Sequence, residues 1–438
     1  MVKRFVPAGL LTVSFLLSIF AAFRGGYIGP DYPTHLARMI EWPQVFDFGA
    51  TSPPMYYLVG HGLFRIIGAR NAFPVTLSII QAGVNVVALG WFFVYVERRF
   101  VSPLVYAGLV GLLTFLPVRI IHAVTIGTDC TTIPLFVLVL FLFDNFSSDE
   151  TSTTRNAALL GLALGLAVFT KYSFMALLPV VLIAFSWIWK KRAWTLPRFA
   201  GVCIVSLALP LAITVYSFWA SSQVHGYNTE KHWQRNGVPA DMNYKDLFSV
   251  KAADIHLFRA PEYFKRDILA PHKHSYLGLS HLGVFSDTMN LFQDLSVPQR
   301  FGNVLIPDQK TRRSWKTSVM EMSILFGTVW TLLALVGTPW SSLPALRHLF
   351  KDRLEREDCA MLFGVAYFLL MFLPIPFVYG GALFGYWTPR LILPALLCFF
   401  LAGFLLVDQQ LVTKSKSIAF VLLALVAVQS ATEILMLI

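Results

Sequence analysis

Long apolar runs recur along this chain from its first residues to its last. A helix needs about 20 predominantly apolar residues to cross the hydrocarbon core of a bilayer. We predict about eleven such spans, near residues 5–23, 73–96, 101–118, 124–143, 156–171, 173–189, 199–222, 319–338, 359–379, 390–407 and 417–437. Because 56% of the residues are hydrophobic and 13% are charged, the composition also excludes an ordinary soluble domain. The predicted fold class is an all-α polytopic membrane protein.

The basic residues of the short connectors indicate the orientation of the chain. If the N-terminus is cytoplasmic, every basic cluster in a short connector falls on the cytoplasmic side, as the positive-inside rule expects. These connectors carry Arg98, Arg99, Lys190, Lys191, Arg192, Arg198, Arg347, Lys351, Arg353, Arg356, Lys414 and Lys416. Two connectors that are too long to be simple turns, residues 24–72 and 223–318, then lie on the outer side. We expect function there, because loops held by a rigid scaffold commonly carry it.

The spans and loops divide the chain into three predicted parts. These are an N-terminal transmembrane catalytic module (1–222, with outer loop 24–72), an outer loop domain (223–318) and C-terminal transmembrane helices (319–438). Within the first loop, the apolar stretch 55–69 is too short to span a bilayer and is predicted to form an interfacial or re-entrant helix. No internal repeat is evident, which disfavours a transporter built from inverted repeats.

Charge and cysteine content exclude further classes of protein. The formal net charge of +11 does not indicate nucleic-acid binding, because the basic residues lie mostly in connectors and one long loop without an aromatic-basic motif. The cysteines have neither metal-ligand nor disulfide spacing, and all lie in apolar runs. They are predicted to be inert core residues: Cys130, Cys203, Cys359 and Cys398. The first apolar run is interpreted as an uncleaved helix rather than a signal peptide, because so many spans follow it.

The first group of polar residues on the outer side is the run 29–35, with the sequence GPDYPTH. Its two prolines restrict the backbone around Asp31 and are expected to delay a helix until Thr34. His35 would then lie in the first turn of that helix. Asp31 has two interpretations, as a helix N-cap or as a catalytic carboxylate.

Two more groups lie at predicted outer helix starts. In the run 51–57, a Pro-Pro turn leads into Tyr56 and Tyr57, a pattern typical of a helix N-terminus with interfacial tyrosines. In Gly127-Thr128-Asp129, the aspartate is either the N-cap of the fourth span or a functional group.

Two lone cations complete the candidate set. Lys171, followed by Tyr172, occupies a turn between two closely spaced spans, which predicts a tight helical hairpin. Arg390 follows Pro389 at the outer start of the tenth span. The alternative for each residue is that its side chain extends to the lipid headgroups, with the methylene groups in the apolar region and the charge at the interface. An ionisable residue near membrane depth is otherwise a functional candidate, because burying its charge is costly.

Together these groups resemble a known pattern. An acidic residue after the first span, a Pro-Pro-x-Tyr-Tyr run, an aspartate at the fourth span, a Thr-Lys-Tyr turn and a Tyr-x-x-Pro-Arg run occur in this order. The order is similar to that of the GT-C superfamily of membrane glycosyltransferases, and within it the protein mannosyltransferase and lipid A aminoarabinose transferase-like group. The resemblance covers residues 1–222 and, more weakly, 319–438. Residues 223–318 have no counterpart in it.

The resemblance implies a GT-C-like bundle and an inverting sugar transfer on the periplasmic or lumenal face. The donor would be a polyprenyl-phosphate-linked sugar, and the acceptor a lipid, a glycan or a protein. Asp31 would be the general base on the acceptor. Lys171 and Arg390 would stabilise the leaving phosphate, because Arg binds phosphate oxygens bidentately and Lys acts as a point charge.

The other candidate residues would line the same cavity. The resemblance implies that Asp129 holds the acceptor or orients a cation, and that Tyr56, Tyr57 and Tyr172 contact the substrate. The chain also departs from the family pattern. Asp31 is followed by Tyr32 rather than by a second carboxylate, so that His35 replaces it or the site uses one acid. A serine, Ser52, stands where relatives have the histidine of a His-Pro-Pro run.

Metal dependence stays open at this stage. Asp31, His35 and Asp129 are candidate ligands for a divalent cation, which related oligosaccharyl transferases use. No two of them have the spacing of a known metal motif. No other cofactor is expected.

Two alternatives come from other functional classes. In a lipid or sugar flippase, the same charged groups would bind a substrate that is moved rather than changed. A non-catalytic assembly factor on the same fold is the second, because fold does not guarantee function. The low cysteine content and a C-terminus without a retention signal favour the bacterial inner membrane, with the site facing the periplasm.

Overall fold

The chain is helical almost throughout the part that the computed structural model describes, which is residues 2–28, 32–42, 53–148, 153–225, 276–285, 298–301, 304–307, 315–350, 356–374 and 384–437. The first ten α-helices are α1 (Val2–Phe23), α2 (Tyr32–Ile40), α3 (Met55–Ile67), α4 (Phe73–Val96), α5 (Pro103–Phe115), α6 (Pro117–Val124), α7 (Thr132–Ser148), α8 (Thr153–Thr170), α9 (Leu177–Lys191) and α10 (Leu196–His225). The others are α11 (Tyr276–Phe285), α12 (Trp315–Phe350), α13 (Arg356–Phe372), α14 (Phe384–Leu406) and α15 (Ser417–Leu437).

Short elements join some of these helices. Three 3-10 helices are Glu97–Arg99, Thr128–Thr131 and Tyr172–Ala176, and a π-helical turn covers Val407–Leu411. Strands β1 (Pro298–Phe301) and β2 (Val304–Pro307) pair antiparallel as a hairpin inside the predicted outer loop domain. The all-α prediction is confirmed, with this hairpin as its one local departure among the described residues.

The described helices confirm an integral multi-pass membrane protein, whereas the count of eleven spans is not confirmed. Eight of the described helices are long and apolar enough to cross a bilayer, or up to nine if the bent pair α5 and α6 forms one span. The predicted spans 156–171 and 359–379 correspond to α8 and α13, whose apolar parts are shorter. The predicted spans 101–118 and 124–143 do not each match one helix. The chain bends between α5 and α6, so that residues 117–124 form a separate helix and α7 begins only at Thr132.

Pro117 causes this bend. It has no N–H to donate, and the residue before a proline disfavours helical dihedrals. Leu116 accordingly takes φ −53° and ψ 120°, and α6 leaves the axis of α5 at an angle of 45°. The segment that follows α6, residues 125–131, is thereby directed into the candidate site described below.

The first outer loop contains two short helices. Helix α2 begins at Tyr32 rather than at Thr34, because a proline is tolerated in the first helical turn, where its missing N–H would have no partner. Helix α3 forms within the predicted stretch 55–69 and ends at Ile67, followed by the capping residue Gly68, whose φ of 68° is left-handed. Its interfacial or re-entrant position stays a prediction.

Helix α11 comes from the long outer loop and packs against α14 and α12. The Tyr276 hydroxyl donates a hydrogen bond to the Phe372 carbonyl at 2.9 Å, and both residues are buried. Residues 226–275 of the predicted outer loop domain lie outside the described residues. The three-part domain division stays a prediction.

Helices α8 and α10 approach each other closely at a glycine. A Cβ atom on Gly161 would lie 2.7 Å from the Cα of Ser206 and from two backbone oxygens of α10. Small residues allow such contact between membrane helices. The Ser206 hydroxyl also donates a hydrogen bond to the Ala157 carbonyl at 3.0 Å.

We therefore expect Gly161→Ala to lower the thermal unfolding midpoint in detergent by several degrees, because the helices must separate to admit the methyl group. Gly201→Ala is the matched control. It lies on α10, where no atom would come within 4 Å of the added Cβ, so better helix propensity should leave stability unchanged or slightly higher. Equal midpoints for the two variants would contradict the close contact.

Candidate functional site

The candidate site is built around the segment 125–131, which α4 holds in place through polar side chains. The Ser78 hydroxyl donates to the Val124 carbonyl at 2.6 Å, and the Asn85 amide donates to the Cys130 carbonyl at 2.6 Å. Both side chains are buried on one face of an otherwise apolar helix. Buried polar groups are stable there because each finds a partner in the segment.

Tyr56 of α3 supports the same segment from another side. Its hydroxyl oxygen accepts hydrogen bonds from the Gln81 amide at 2.6 Å and from the Gly127 N–H at 2.9 Å. Burial raises the pKa of the Tyr56 phenol well above its usual value, so it stays neutral. The Ile126 N–H donates to the Tyr27 carbonyl at 3.1 Å. The backbone around Asp129 is thus held by hydrogen bonds with α4, with Tyr56 of α3 and with the Tyr27 carbonyl.

Asp129 brings two cations together. One carboxylate oxygen accepts a hydrogen bond from the Lys171 ammonium, and the other lies 3.6 Å from Nη1 of Arg390. The side chains of Asp129 and Lys171 are 19% and 8% exposed. No described backbone N–H donates to this carboxylate, which disfavours the N-cap interpretation. The structure therefore gathers three of the predicted site residues from three separate elements.

The local backbone explains how Lys171 reaches the site. Helix α8 ends at Thr170, Lys171 is extended at φ −154° and ψ 124°, and a 3-10 helix begins at Tyr172. The turn is as tight as predicted. Because the Lys171 side chain is buried and paired, it does not extend to the headgroups. Tyr172 is half-buried directly after it.

His35 lies next to the segment that carries Asp129. Its Nδ1 is 2.8 Å from the hydroxyl of Tyr57, the two rings stack at 5.7 Å, and Arg38 donates to the same hydroxyl at 3.3 Å. A Cβ on Gly127 would be 3.4 Å from Nε2 of His35. His35 therefore lies beside Gly127, two residues before Asp129, and Tyr57 contacts His35.

His122 of α6 belongs to this cluster, although the sequence analysis did not identify it. The side chain is 3% exposed and interacts electrostatically with Asp129, Arg390 and Lys171. It makes no hydrogen bond with any residue that the structure describes. A histidine within an apolar run is by itself a candidate functional residue. The predicted spans 101–118 and 124–143 place residues 119–123 in a turn, so the sequence does not indicate His122 as a site residue.

Asp31, the predicted general base, lies outside the described residues, so its position stays a prediction. Among the residues that are described, no group of three or more His, Cys, Asp or Glu side chains is placed to hold a metal ion. This result does not test the set of Asp31, His35 and Asp129. It does mean that His122, Asp129 and Cys130 are not arranged as a metal site.

Tyr56→Phe tests how the segment is held. The variant leaves the Gln81 amide and the Gly127 N–H without their buried acceptor, which typically costs about 1–3 kcal/mol. We expect a lower thermal unfolding midpoint in detergent. Tyr216→Phe is the control, because this tyrosine is 43% exposed on α10 and should unfold like the wild type. A Tyr56→Phe midpoint equal to that of the control would contradict this role.

No family model matches the sequence, and neither does any curated protein. Among solved structures, the chain is similar to the Archaeoglobus fulgidus oligosaccharyltransferase in the apo form, with 14% identity, a TM-score of 0.49 and coverage of 98% of this chain and 56% of that one. It is also similar to AglB from the same organism in complex with an inhibitory peptide and a dolichol-phosphate, with 13% identity, a TM-score of 0.49 and coverage of 99% and 56%.

A further similar structure is ArnT from Cupriavidus metallidurans bound to undecaprenyl phosphate, with 16% identity, a TM-score of 0.38 and coverage of 92% of this chain and 77% of that one. The chain thus spans 56% of the length of either oligosaccharyltransferase.

Proposed function

We propose that this chain is an inverting membrane glycosyltransferase that moves a sugar from a polyprenyl-phosphate-linked donor to a lipid, glycan or protein acceptor on the outer face of the membrane. The observation that carries the proposal is the pairing of Lys171 and Arg390 with one carboxylate, that of Asp129. Of the described side chains that meet here, two are cations and one is a carboxylate, and all three are largely buried. Such a site favours an anionic ligand, and the phosphate of a lipid carrier is the anion that we assign to it.

The charges suit the leaving group of such a reaction. In the donor, the phosphodiester carries one negative charge. When the bond from the anomeric carbon to the phosphate oxygen breaks, the electron pair stays on that oxygen and a second charge develops. Lys171 and Arg390 would bind this state more strongly than the donor, and that difference accelerates the reaction.

The acceptor would be activated from the first outer loop. Asp31 takes the proton of an acceptor hydroxyl or amine, while the acceptor forms a bond to the anomeric carbon. Attack from the side opposite the phosphate inverts the configuration. His35, on the helix that starts beside Asp31, borders Gly127 and is the residue that would support or replace the carboxylate. The hydroxyl of Tyr57 lies 2.8 Å from Nδ1 of His35 and holds the imidazole ring in place.

Asp129 would act by holding the two cations in position. Its carboxylate is already neutralised by them, which makes it a weak ligand for a further cation. The proposed mechanism therefore assigns the phosphate charge to Lys171 and Arg390. A divalent cation held by Asp31 and His35 is the alternative, and turnover in a chelator would distinguish the two.

The experiment uses the full chain in nanodiscs with a panel of radiolabelled polyprenyl-phosphate sugars and crude cell-envelope extract as acceptor. We expect the wild type to transfer label and Asp31→Asn to bind donor with turnover reduced by at least about 10²-fold. Asp358→Asn is the matched control, because Asp358 pairs with His348 near the predicted cytoplasmic side. Full activity of Asp31→Asn would contradict the role of the base.

The same preparation separates the competing functions. A flippase would move labelled donor across proteoliposomes and leave the sugar attached to its lipid. An assembly factor would neither consume nor transport donor. Either result from the wild type would replace the proposed transferase.

A further inference from the structure

The imidazole of His35 ends a short chain of hydrogen bonds that begins at Arg38 and passes through Tyr57. Nη1 of Arg38 donates to the Tyr57 hydroxyl oxygen at 3.3 Å, and its guanidinium lies over the tyrosine ring, 5.4 Å from the centroid. Nδ1 of His35 lies 2.8 Å from the same oxygen. Tyr57 is fully buried, so its hydroxyl depends on such partners.

Helices α2 and α3 pack closely enough to keep this chain of hydrogen bonds in place. A Cβ atom on Gly60 of α3 would lie 2.5 Å from the sulfur of Met39 on α2. Beside it, Nδ1 of His61 lies 2.8 Å from the Met39 carbonyl oxygen. Because a carbonyl oxygen only accepts, Nδ1 of His61 carries a proton. His61 is therefore an internal reference of known tautomer for His35.

The donors and acceptors of the chain assign its protons. Arginine has only donors, so the Tyr57 oxygen is the acceptor in its bond with Arg38. The Tyr57 O–H then has the Nδ1 lone pair of His35 as an acceptor at 2.8 Å. With a proton on Nδ1, two donors would meet one phenol oxygen, and the O–H would have to point away from both. In the neutral imidazole the proton is thereby assigned to Nε2.

Nε2 of His35 faces the segment that leads to Asp129. A Cβ atom on Gly127 would lie 3.4 Å from Nε2 and 3.5 Å from Cδ2 of His35. The backbone does not require a glycine there, because its φ of 169° is extended and open to any residue. The glycine instead keeps a side chain away from the Nε2 edge of the ring, as glycine does where a ligand comes close to the backbone.

We propose that Arg38 and Tyr57 hold His35 as the Nε2–H tautomer, so that His35 donates a hydrogen bond to an anionic oxygen in the candidate site and is not its base. The donor role rests on the proposed function, whereas the tautomer does not. A protonated Nε2 has no lone pair for a second proton, so His35 supports the carboxylate of Asp31 and does not replace it. For the same reason this tautomer does not bind a metal ion through Nε2.

Nitrogen NMR of the full chain in nanodiscs tests the tautomer without substrate. Isotopically labelled histidine is observed at about pH 8.5, where an ordinary imidazole is neutral, and His35→Gln and His61→Gln assign the two signals. We expect the proton on Nε2 in His35 and on Nδ1 in His61.

Tyr57→Phe tests the hydrogen bond that selects this tautomer. The Nδ1 signal of His35 should move toward that of a nitrogen that accepts no hydrogen bond, whereas Tyr216→Phe, on α10, should leave it in place. A proton on Nδ1 of His35, or an Nδ1 signal that Tyr57→Phe leaves unchanged, would overturn the proposal.

The same spectra identify the anionic oxygen that accepts from Nε2. Asp31→Asn should shift the Nε2–H signal of His35 if the acceptor is the carboxylate. Added undecaprenyl phosphate should shift it if the acceptor is a lipid phosphate, with undecaprenol as the control lipid and His61 as the signal that stays in place. An Nε2–H signal that responds to neither change would overturn donation into the site.

Turnover of the radiolabelled donor distinguishes a hydrogen-bond donor from a base. Glutamine can place an amide N–H near the position of Nε2 but does not take up a proton, and leucine offers neither function. We expect His35→Gln to keep turnover within about tenfold of the wild type and His35→Leu to lose about 10²-fold. Equal losses would overturn the donor role. If the wild type transfers no sugar, the proposed function fails, while the spectra still decide the tautomer.

Discussion

Lys171→Met is expected to lower turnover of a polyprenyl-phosphate sugar by about 10²–10³-fold, the effect of removing one group that stabilises charge in a transition state. Methionine keeps most of the side-chain length and its apolar stem but has no ammonium. Arg390 still balances Asp129, so the protein should fold. The measurement is the rate of sugar release from a radiolabelled donor in nanodiscs, together with the donor concentration that gives half the maximal rate.

Lys190→Met is the matched control for this variant. Lys190 lies at the other end of α9, exposed and on the predicted cytoplasmic side, so its loss should leave turnover unchanged. If both variants lose activity equally, the effect is one of net charge. If Lys171→Met keeps full activity, the leaving phosphate is not stabilised at Asp129.

The sequence predicted which residues form the charged cluster, but not how their side chains contact one another. Asp129, Lys171 and Arg390 each stand at an outer helix start or turn, and topology alone assigns these positions to one side of the membrane. Their direct pairing depends on how α8, α14 and the segment after α6 pack. Such packing between distant parts of the chain leaves no pattern in hydrophobic periodicity.

The span count was harder to predict because a run of apolar residues does not show where its helix bends. The sequence contains Pro117, but a proline inside a membrane helix is often accommodated without a break. Here the bend takes α6 away from α5, so that the predicted boundary at residues 118–124 lies inside a helix. The same predicted boundary places His122 and Arg119 in a turn, whereas both lie on α6.

The polar residues of α4 are not indicated by the sequence for a different reason. Single polar residues in long apolar helices have no local partner that a sequence can show. Asn85 becomes interpretable only when its amide is seen to donate to the Cys130 carbonyl. The useful signal was the spacing of Ser78, Gln81 and Asn85, which places all three near one helix face.

Asp129→Asn is expected to destabilise the protein by about 3 kcal/mol, because Lys171 and Arg390 then lose the carboxylate that both of them contact. The thermal unfolding midpoint in detergent should fall accordingly, while Asp358→Asn should change it little. Added undecaprenyl phosphate should then raise the midpoint of Asp129→Asn more than that of the wild type, since the phosphate supplies the charge that the carboxylate no longer provides. If the lipid phosphate stabilises both proteins equally, it binds elsewhere, and the assignment of the leaving group to these two cations is wrong.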